Sequence, residues 1–209
     1  MLPLFPLNLV VYPNEKLNLH VFEPRYRQLV DECLEQQSTF GISAFINNRL
    51  EDYGTEMQIL SLEKKHEDGR MDIRTEGVRV FHLLRYDNPA ADKLYAGGVV
   101  DFVESNEEPA PAQLTAEVLN KLGKLYFLLQ LKLDVAVERV QNLSYEIAHK
   151  IGLSVEQEYE VLTLATETAR QQYLLGHLER VIPIVADMEK TKERVRMNGY
   201  FKSFDPLNF

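Results

Sequence analysis

Residues 17–29 read LNLHVFEPRYRQL, a strand signal followed at once by a helix signal. Leu17, Leu19 and Val21 alternate with polar residues, which is the period of a strand with one buried face. Pro24 then suits the first turn of a helix, where its missing N–H removes no hydrogen bond. The apolar residues that follow have the spacing of an amphipathic helix: Tyr26, Leu29, Val30, Cys33 and Leu34.

Further strand signals surround this stretch in the first hundred residues. Residues 56–65 and 70–86 flank the sequence Glu67-Asp68-Gly69, in which Asp-Gly supplies the positive φ of a tight hairpin turn. Short β-rich apolar runs predict three more strands, at residues 7–12, 40–46 and 94–103.

The return strand of the hairpin changes its phase. Its apolar residues lie at odd positions as far as Thr75 and at even positions from Val78 to Leu84, with Gly77 at the change. A slip of one residue at a glycine is typical of a β-bulge, which bends a strand toward closure of a barrel. We therefore predict a small β-barrel of about six strands and one early helix over residues 1–108.

The second half of the chain has a helical period. It follows a polar, proline-containing boundary, SNEEPAP at residues 105–111, and we predict a helical bundle over residues 109–209. Residues 125–129, LYFLL, are apolar on every side of a helix. The predicted fold class is therefore α+β.

Several residues predict where the helices of the second half begin and end. Gly152 ends a short helix over residues 143–151, and Ser154 caps another that runs to residue 164. Glu167 lies in the first turn of a long helix that runs towards residues 198–199. Pro183 lies inside this helix and is predicted to kink it or to split it in two.

The composition limits the classes of partner. The chain has 23 Lys and Arg against 32 Asp and Glu, a formal net charge of −9. Such a protein is repelled at long range by nucleic acid and by anionic membranes, so neither is an expected partner. We interpret the basic residues 190–196 as a solvated helix end. Cys33 is the only cysteine, which excludes an internal disulfide, and we interpret it as a packed core thiol.

No targeting or membrane signal is recognised. Residues 1–7 are apolar, but they lack a basic leader and are interrupted by Pro3 and Pro6. No run approaches the roughly 18 apolar residues of a membrane span. We therefore expect a cytoplasmic protein.

Motifs for catalysis or cofactor binding are not recognised. Gly123-Lys124 lacks the flanking residues of a phosphate-binding loop, and no Gly-x-Ser-x-Gly frame surrounds a serine. We expect no cofactor and no catalytic residue. No metal-binding spacing occurs among the five histidines, His20, His66, His82, His149 and His177. This leaves only a metal site that is assembled in space from distant residues.

The opening residues, LPLFPLNLVVYP at 2–13 followed by residues 17–29, closely resemble the start of the Lon protease N-terminal substrate-binding domain, particularly its stand-alone bacterial members. Gly54-Thr55 and residues 69–79 resemble the family's central hairpin. The resemblance continues into the helices and covers nearly the whole chain. It implies a six-stranded barrel of the PUA-like type followed by a helical bundle.

The resemblance also implies a function. In Lon the domain precedes an ATPase and a Ser-Lys protease domain and helps to recognise unfolded or tagged proteins. Because the sequence ends at Phe209 with neither domain, we expect a non-enzymatic protein-binding module, an adaptor or regulator in protein quality control. Its expected partners are unfolded or apolar polypeptide segments. An RNA-binding PUA-like protein, or a hydrolase whose site is assembled only in three dimensions, is the alternative.

The densest part of the match is the strand-to-helix junction. There Glu23, Arg25, Tyr26 and Arg27 form the first candidate binding surface, because aromatic and guanidinium groups lead in interface hot spots. The competing interpretation is structural: Tyr26 belongs to the core, and Glu23 pairs with a nearby arginine to hold the junction.

A second candidate surface lies in the helical half. Tyr126 and Phe127 belong to the segment that is apolar on every side, and such a segment must bury its second face in its own core or in a partner. We predict that they help to line an apolar groove between barrel and bundle. The apolar tail, residues 200–209, is expected to dock either on its own barrel, which is the simplest arrangement, or on another chain.

Overall fold

A computed structural model describes residues 1–104, 108–132 and 142–201, with only the backbone for residues 197–201. The chain divides into two compact units. Unit 1 comprises Met1–Glu108 and Gly152–Thr166, and unit 2 comprises Pro109–Ile151 and Glu167–Phe209. The sequence assigned everything from residue 109 onward to a helical bundle, whereas the structure assigns Gly152–Thr166 to the same unit as the strands.

The described residues form six strands and five helices. In chain order these are β1 (Leu2–Leu7), β2 (Lys16–Val21), α1 (Pro24–Gln36), β3 (Phe40–Ile46), β4 (Arg49–Lys65), β5 (Met71–Asp87), β6 (Ala96–Phe102), α2 (Ala112–Leu128), α3 (Leu143–Ala148), α4 (Val155–Thr163) and α5 (Glu167–Phe201).

The strands of unit 1 close into a barrel. Their order is β2-β5-β4-β3-β1-β6, and β6 also pairs with β5, so β5, β4, β3, β1 and β6 form a ring to which β2 adds as an outer strand. β1 and β3 run parallel, and the other pairs are antiparallel. The predicted α+β class, the early helix at Pro24 and the six strands are confirmed.

The predicted turn and bulge of the central hairpin are both present. Gly69 has a φ of 83°, and the His66 and Arg70 backbones close the turn through an N–H···O bond of 2.8 Å. Glu56 pairs with Arg79 while Met57 pairs with Gly77, which leaves Val78 as the extra residue of a bulge. After the bulge, the apolar face predicted at the even positions from Val78 to Leu84 is only partly buried, because Val78 and Leu84 are exposed.

The first strand differs from the prediction. Residues 7–12 were expected to form it, but β1 is Leu2–Leu7, and residues 8–12 lie outside any regular element. β1 contains Pro3 and Pro6, and proline cannot donate to a sheet ladder. A strand accommodates proline where that donor is not required, and the parallel register with β3 places Pro6 opposite Ser43.

The core of unit 1 forms between α1 and the barrel strands. The rings of Phe5 and Tyr26 stack with centroids 3.7 Å apart and an interplanar angle of 17°. Cys33 is buried there as a free thiol, as predicted, and burial raises its pKa. Ser154 caps α4 as predicted, and its side chain and that of Gln157 form a reciprocal capping box.

Unit 2 is built on the packing of α2 and α3 against α5. The buried residues on α2 are Val118, Leu122 and Leu125, and those on α5 include Leu174, Leu178 and Ile182. Pro183 was predicted to kink the last helix or to split it in two. The split does not occur, because α5 is one helix from Glu167 to Phe201, and that helix also passes residues 198–199. Pro183 is exposed, so water can satisfy the carbonyl that loses its helical donor.

None of the helices in the described ranges is long and apolar enough to cross a membrane. The tail predicted to dock on the barrel falls on residues 200–209, of which residues 202–209 and the side chains of 200 and 201 lie outside the described part of the chain.

Candidate functional site

The junction between β2 and α1 is held by an ion pair. The Nε and Nη2 atoms of Arg25 donate to Glu23 Oε2 at 2.9 and 2.6 Å. This hydrogen bond raises the pKa of Arg25 further, so the guanidinium remains charged. Its Cζ lies 4.8 Å from the centroid of the Tyr26 ring, within the range of a cation–π contact.

Tyr26 itself is largely a core residue. Only 7% of it is exposed, and its ring stacks on Phe5. Burial raises the pKa of its hydroxyl. The interpretation of Glu23 and Tyr26 as residues that hold the junction therefore has a direct geometric basis, and Tyr26 reaches the surface only at one edge.

That edge opens into a cavity of about 270 Å³. Residues from β1, α1, β3, β5 and β6, together with the loop after β5, meet there. The lining combines aromatic rings with one guanidinium and one amide: Pro6, Arg25, Tyr26, Phe45, Tyr86, Asn88 and Ala96. These groups can stack on apolar or aromatic side chains and can hydrogen-bond to a polypeptide backbone.

The strands place Phe45 and Tyr86 at the mouth of this cavity. The β3–β4 register shifts between Ser43 and Phe45, and Phe45 is exposed between buried neighbours. Tyr86 follows another register shift, between Leu83 and Arg85. Phe45 and Tyr86 are each 38% exposed, so both rings are open to a ligand. Burial raises the pKa of Tyr86, although nearby Arg25 opposes the shift.

The structure separates the residues predicted for the junction surface. Glu23, Arg25 and Tyr26 stay together, with Arg25 and Tyr26 lining the cavity. Arg27 does not line it, and its Nη1 donates to the carbonyl oxygen of Asp68, at the tip of the β4–β5 hairpin, over 2.8 Å.

Tyr126 and Phe127 lie near the end of α2 in unit 2. The Tyr126 hydroxyl donates to the carbonyl oxygen of Lys150 at 3.2 Å. Phe127 is 82% exposed, and Leu129 and Leu131 just beyond it are also exposed. The two predicted residues are thus adjacent but differ in environment, since Tyr126 is bonded within its own unit and Phe127 is open to solvent.

Sequence reasoning missed five of the lining residues: Pro6, Phe45, Tyr86, Asn88 and Ala96. Phe45 and Tyr86 occur inside strand patterns, where an aromatic residue normally indicates a core position. Their exposure depends on the register shifts in β3 and β5. For Phe45, the sequence shows an apolar run at residues 40–46 that continues up to the Asn47-Asn48 turn. Such a run does not indicate which face of the strand is buried.

One group of described residues could hold a metal ion, and it lies outside the cavity. His20, His66 and Asp72 bring three ligand atoms within 4.8 Å of one another. The histidine spacing in the sequence gave no indication of this group.

The closed barrel, its outer strand and the helices that follow define a small β-barrel domain with a helical extension. Residues 1–180 match the family described as the ATP-dependent protease La (LON) substrate-binding domain, and the chain belongs to this family. The resemblance noted in the sequence is thereby confirmed.

Known relatives agree with this assignment. Lon protease 2 of Syntrophobacter fumaroxidans is 29% identical over an alignment of 215 positions, which covers 93% of this chain but 26% of that protein. The chain therefore spans about a quarter of this curated relative. A crystal structure of a Lon N-terminal domain protein from Xanthomonas campestris has a TM-score of 0.66 and 27% identity, and the match covers 84% of this chain and 96% of that one.

The N-terminal domain of the Mycobacterium avium complex Lon protease is similar in fold alone. Its TM-score is 0.64 at 15% identity, with 85% of this chain and 97% of that chain covered.

Proposed function

We propose that this chain is a non-catalytic polypeptide-binding module and that the cavity beside Arg25 and Tyr26 receives a side chain of the bound polypeptide. The observation that carries the proposal is the coincidence of two features. The cavity opens at the strand-to-helix junction, and its mouth holds two aromatic rings that are each 38% exposed. The printed description of the family, a substrate-binding domain, supports the same function.

The size of the cavity favours a single large side chain. At about 270 Å³ it lies just below the range of roughly 300–1,000 Å³ typical of small-molecule pockets. An apolar side chain between Phe45 and Tyr86 would lose its contact with water, at about 25 cal/mol for each Å² buried. Such a contact needs no particular sequence in the polypeptide, which suits recognition of unfolded segments.

The polar groups of the lining favour a neutral segment over an acidic one. Arg25 is already paired with Glu23, so it does not require an anion from the ligand. The Asn88 side-chain amide offers both a donor and an acceptor and can bond to a backbone peptide group of the ligand. Together these groups orient a polypeptide whose apolar side chain occupies the cavity.

Phe127 offers a second contact on unit 2. At 82% exposure it is the most exposed of the large apolar residues that the structure describes. We assign it, with Tyr126 beside it, to a supplementary apolar surface that contacts the same class of ligand. Because Tyr126 is bonded to Lys150, Phe127 carries the binding part of this assignment.

The cellular role that follows is an adaptor or regulator in cytoplasmic protein quality control. Its clients would be polypeptides with exposed apolar segments. The net charge of −9 supports protein rather than nucleic acid or anionic lipid as the ligand.

The test uses fluorescence anisotropy with a labelled globular protein that has been reduced and carboxymethylated to keep it unfolded. The double variant Phe45→Ala/Tyr86→Ala should weaken binding by about tenfold or more, since aromatic hot-spot residues each contribute more than about 1 kcal/mol. The matched control is Leu60→Ala/Leu62→Ala, which removes two residues of similar exposure, 43% and 39%, that do not line the cavity. Phe127→Ala tests the second surface separately.

Four outcomes would contradict the proposal. Absence of binding to several unfolded proteins would show that the chain is not a polypeptide-binding module. Equal loss of affinity in the two double variants would show that the cavity is not the binding site. Salt-sensitive binding of structured RNA without binding of unfolded protein would favour the RNA alternative. Cleavage of the labelled protein, followed on a gel, would instead identify a hydrolase.

A further inference from the structure

Two histidines share one carboxylate at the hairpin end of the barrel. His20 Nδ1 lies 2.6 Å from Asp72 Oδ1, and His66 Nε2 lies 2.7 Å from Asp72 Oδ2. The three ligand atoms, one from each residue, all lie within 4.8 Å of one another. None of the three residues lines the cavity described above.

The backbone fixes all three positions. His20 on β2 and Asp72 on β5 are direct partners in the antiparallel register. His66 directly follows β4, at the turn, where its N–H donates to the Arg70 carbonyl at 2.8 Å and its own carbonyl accepts from Gly69 at 3.0 Å. His20 and Asp72 lie on paired strands, and His66 lies in the closed turn that joins β4 to β5, so the sheet ladder and the turn bonds position the ligand set.

We propose that His20, His66 and Asp72 bind a divalent transition-metal ion of the Zn²⁺ class. Two imidazole nitrogens and one carboxylate oxygen are ligands that Zn²⁺, Co²⁺, Ni²⁺ and Cu²⁺ accept readily, whereas Mg²⁺ and Ca²⁺ prefer oxygen. Three protein ligands leave at least one coordination position for water or for a group of a second molecule.

The geometry requires only small movements. Zn²⁺ lies about 2.0–2.1 Å from nitrogen and oxygen ligands, so the ligand atoms around a tetrahedral ion stand about 3.3 Å apart. The present distances of 2.6 and 2.7 Å are hydrogen bonds in which each histidine nitrogen carries the proton. When that proton occupies the other ring nitrogen, His20 Nδ1 and His66 Nε2 present lone pairs, and rotation of the partly exposed side chains opens the space for the ion.

The surroundings leave the ion accessible. The His20 side chain is 47% exposed and the Asp72 side chain 38%. The ring of Phe22 lies beside His20, with the ring centroids 6.2 Å apart. The bound ion would link β2 to the hairpin tip and would offer its open position on the surface of unit 1.

The test is calorimetric titration of the chelator-treated full chain with ZnCl₂. We expect one ion per chain, and we expect His20→Gln and Asp72→Asn each to weaken the affinity by at least about tenfold, since loss of an outer-shell partner alone has an effect of that order. His82→Gln is the matched control, because His82 lies on β5 outside the cluster, beside Tyr53. Co²⁺ should give a visible absorption band in the wild type that Asp72→Asn removes.

Absence of one-to-one binding to the wild type would overturn the proposal. So would Zn²⁺ affinity that His20→Gln and Asp72→Asn leave unchanged, in which case the three residues serve only as a hydrogen-bonded link. Circular dichroism of the variants shows whether the fold is retained. Because the cluster and the cavity share no residue, polypeptide binding by the chelator-treated protein remains a separate measurement.

Discussion

Arg27 joins the first helix to the tip of the central hairpin. Its Nη1 donates to the carbonyl oxygen of Asp68 over 2.8 Å, across 41 residues of sequence. The same guanidinium occupies the space above Gly69, where a Cβ would lie 2.6 Å from Nη1. A residue of the densest family match therefore holds the hairpin in place, while its neighbour Arg25 faces the cavity.

Removing this link should loosen the hairpin tip selectively. Arg27→Ala is expected to lower the protection of the amides of residues 66–70 against hydrogen exchange by about 0.5–1 kcal/mol, the range for one partly exposed hydrogen bond. Arg25→Ala is the control, because its bonds go to Glu23 and not to the hairpin. Equal effects of the two variants on the hairpin would contradict the assignment.

Unit 2 should depend on a buried ion pair at the start of α5. The side chains of Glu167 and Arg170 are only 2% and 6% exposed and lie 3.1 Å apart, and Ser144 also donates to the Glu167 carboxylate. Arg170→Met leaves that carboxylate buried without its cation, and we expect a loss of about 3–5 kcal/mol in urea unfolding.

The exposed Arg180 on the same helix gives the control for that experiment. Arg180→Met should change the free energy of unfolding by less than about 0.5 kcal/mol. The double variant Glu167→Gln/Arg170→Met should recover part of the loss, because it removes the unpaired charge. A loss of equal size in Arg180→Met would show that burial of the pair is not the cause.

Replacing two glycines by alanine should change the stability of the protein in opposite directions. A Cβ on Gly77 would lie 2.3 Å from the Tyr12 carbonyl oxygen, which is backbone and cannot rotate away, so Gly77→Ala should destabilise unit 1 by about 1–3 kcal/mol. A Cβ on Gly123, inside α2, would meet nothing within 4 Å. Gly123→Ala should stabilise its helix by about 0.5–1 kcal/mol. The measurement is the Tm of each variant, and a change of Tm in the same direction in both would contradict the steric explanation.

The stability of unit 1 should depend on pH through Glu32. Hydrogen bonds from Lys93 and then Tyr95 hold the pKa of Glu32 below its ordinary value. A carboxyl with a lowered folded pKa stabilises the fold above its unfolded pKa of roughly 4.3, and this stability is lost as the pH falls through the folded pKa. Glu32→Gln should therefore lower Tm at pH 7 but much less near the folded pKa.

The measurement is Tm of wild type and variant from pH 7 to pH 3. Glu35→Gln, at an exposed position of the same helix, should not reproduce the convergence of the two curves. A Tm difference between wild type and Glu32→Gln that is constant over this range would contradict the role of Lys93 and Tyr95.

Much of the fold can be predicted from local backbone chemistry. The Asp-Gly turn at Gly69, the bulge beside Gly77, the helix start at Pro24 and the Ser154 cap each depend on a backbone preference of one or two residues. The prediction failed where context overrides such a preference. Pro3 and Pro6 lie in a strand whose pairing does not require their donors, and Pro183 lies on the solvent side of a continuous helix.

The two candidate sites, the cavity and the histidine cluster, cannot be predicted from local chemistry. Phe45 and Tyr86 come from strands about 40 residues apart, and register shifts in those strands decide that the rings face outward. His20, His66 and Asp72 come together only because β2 and β4 both pair with β5. The spacing of these residues along the chain carries no trace of either arrangement.

Periodicity, turn and cap residues, and a dense local motif are enough to predict the family, the α+β class and most element boundaries. Strand pairing is needed to show that Arg25 and Arg27 have different neighbours, that Tyr26 is mostly core, and that two histidines share Asp72. A side chain's environment depends on which strands pair and in which register, and this pairing is a property of the closed barrel as a whole.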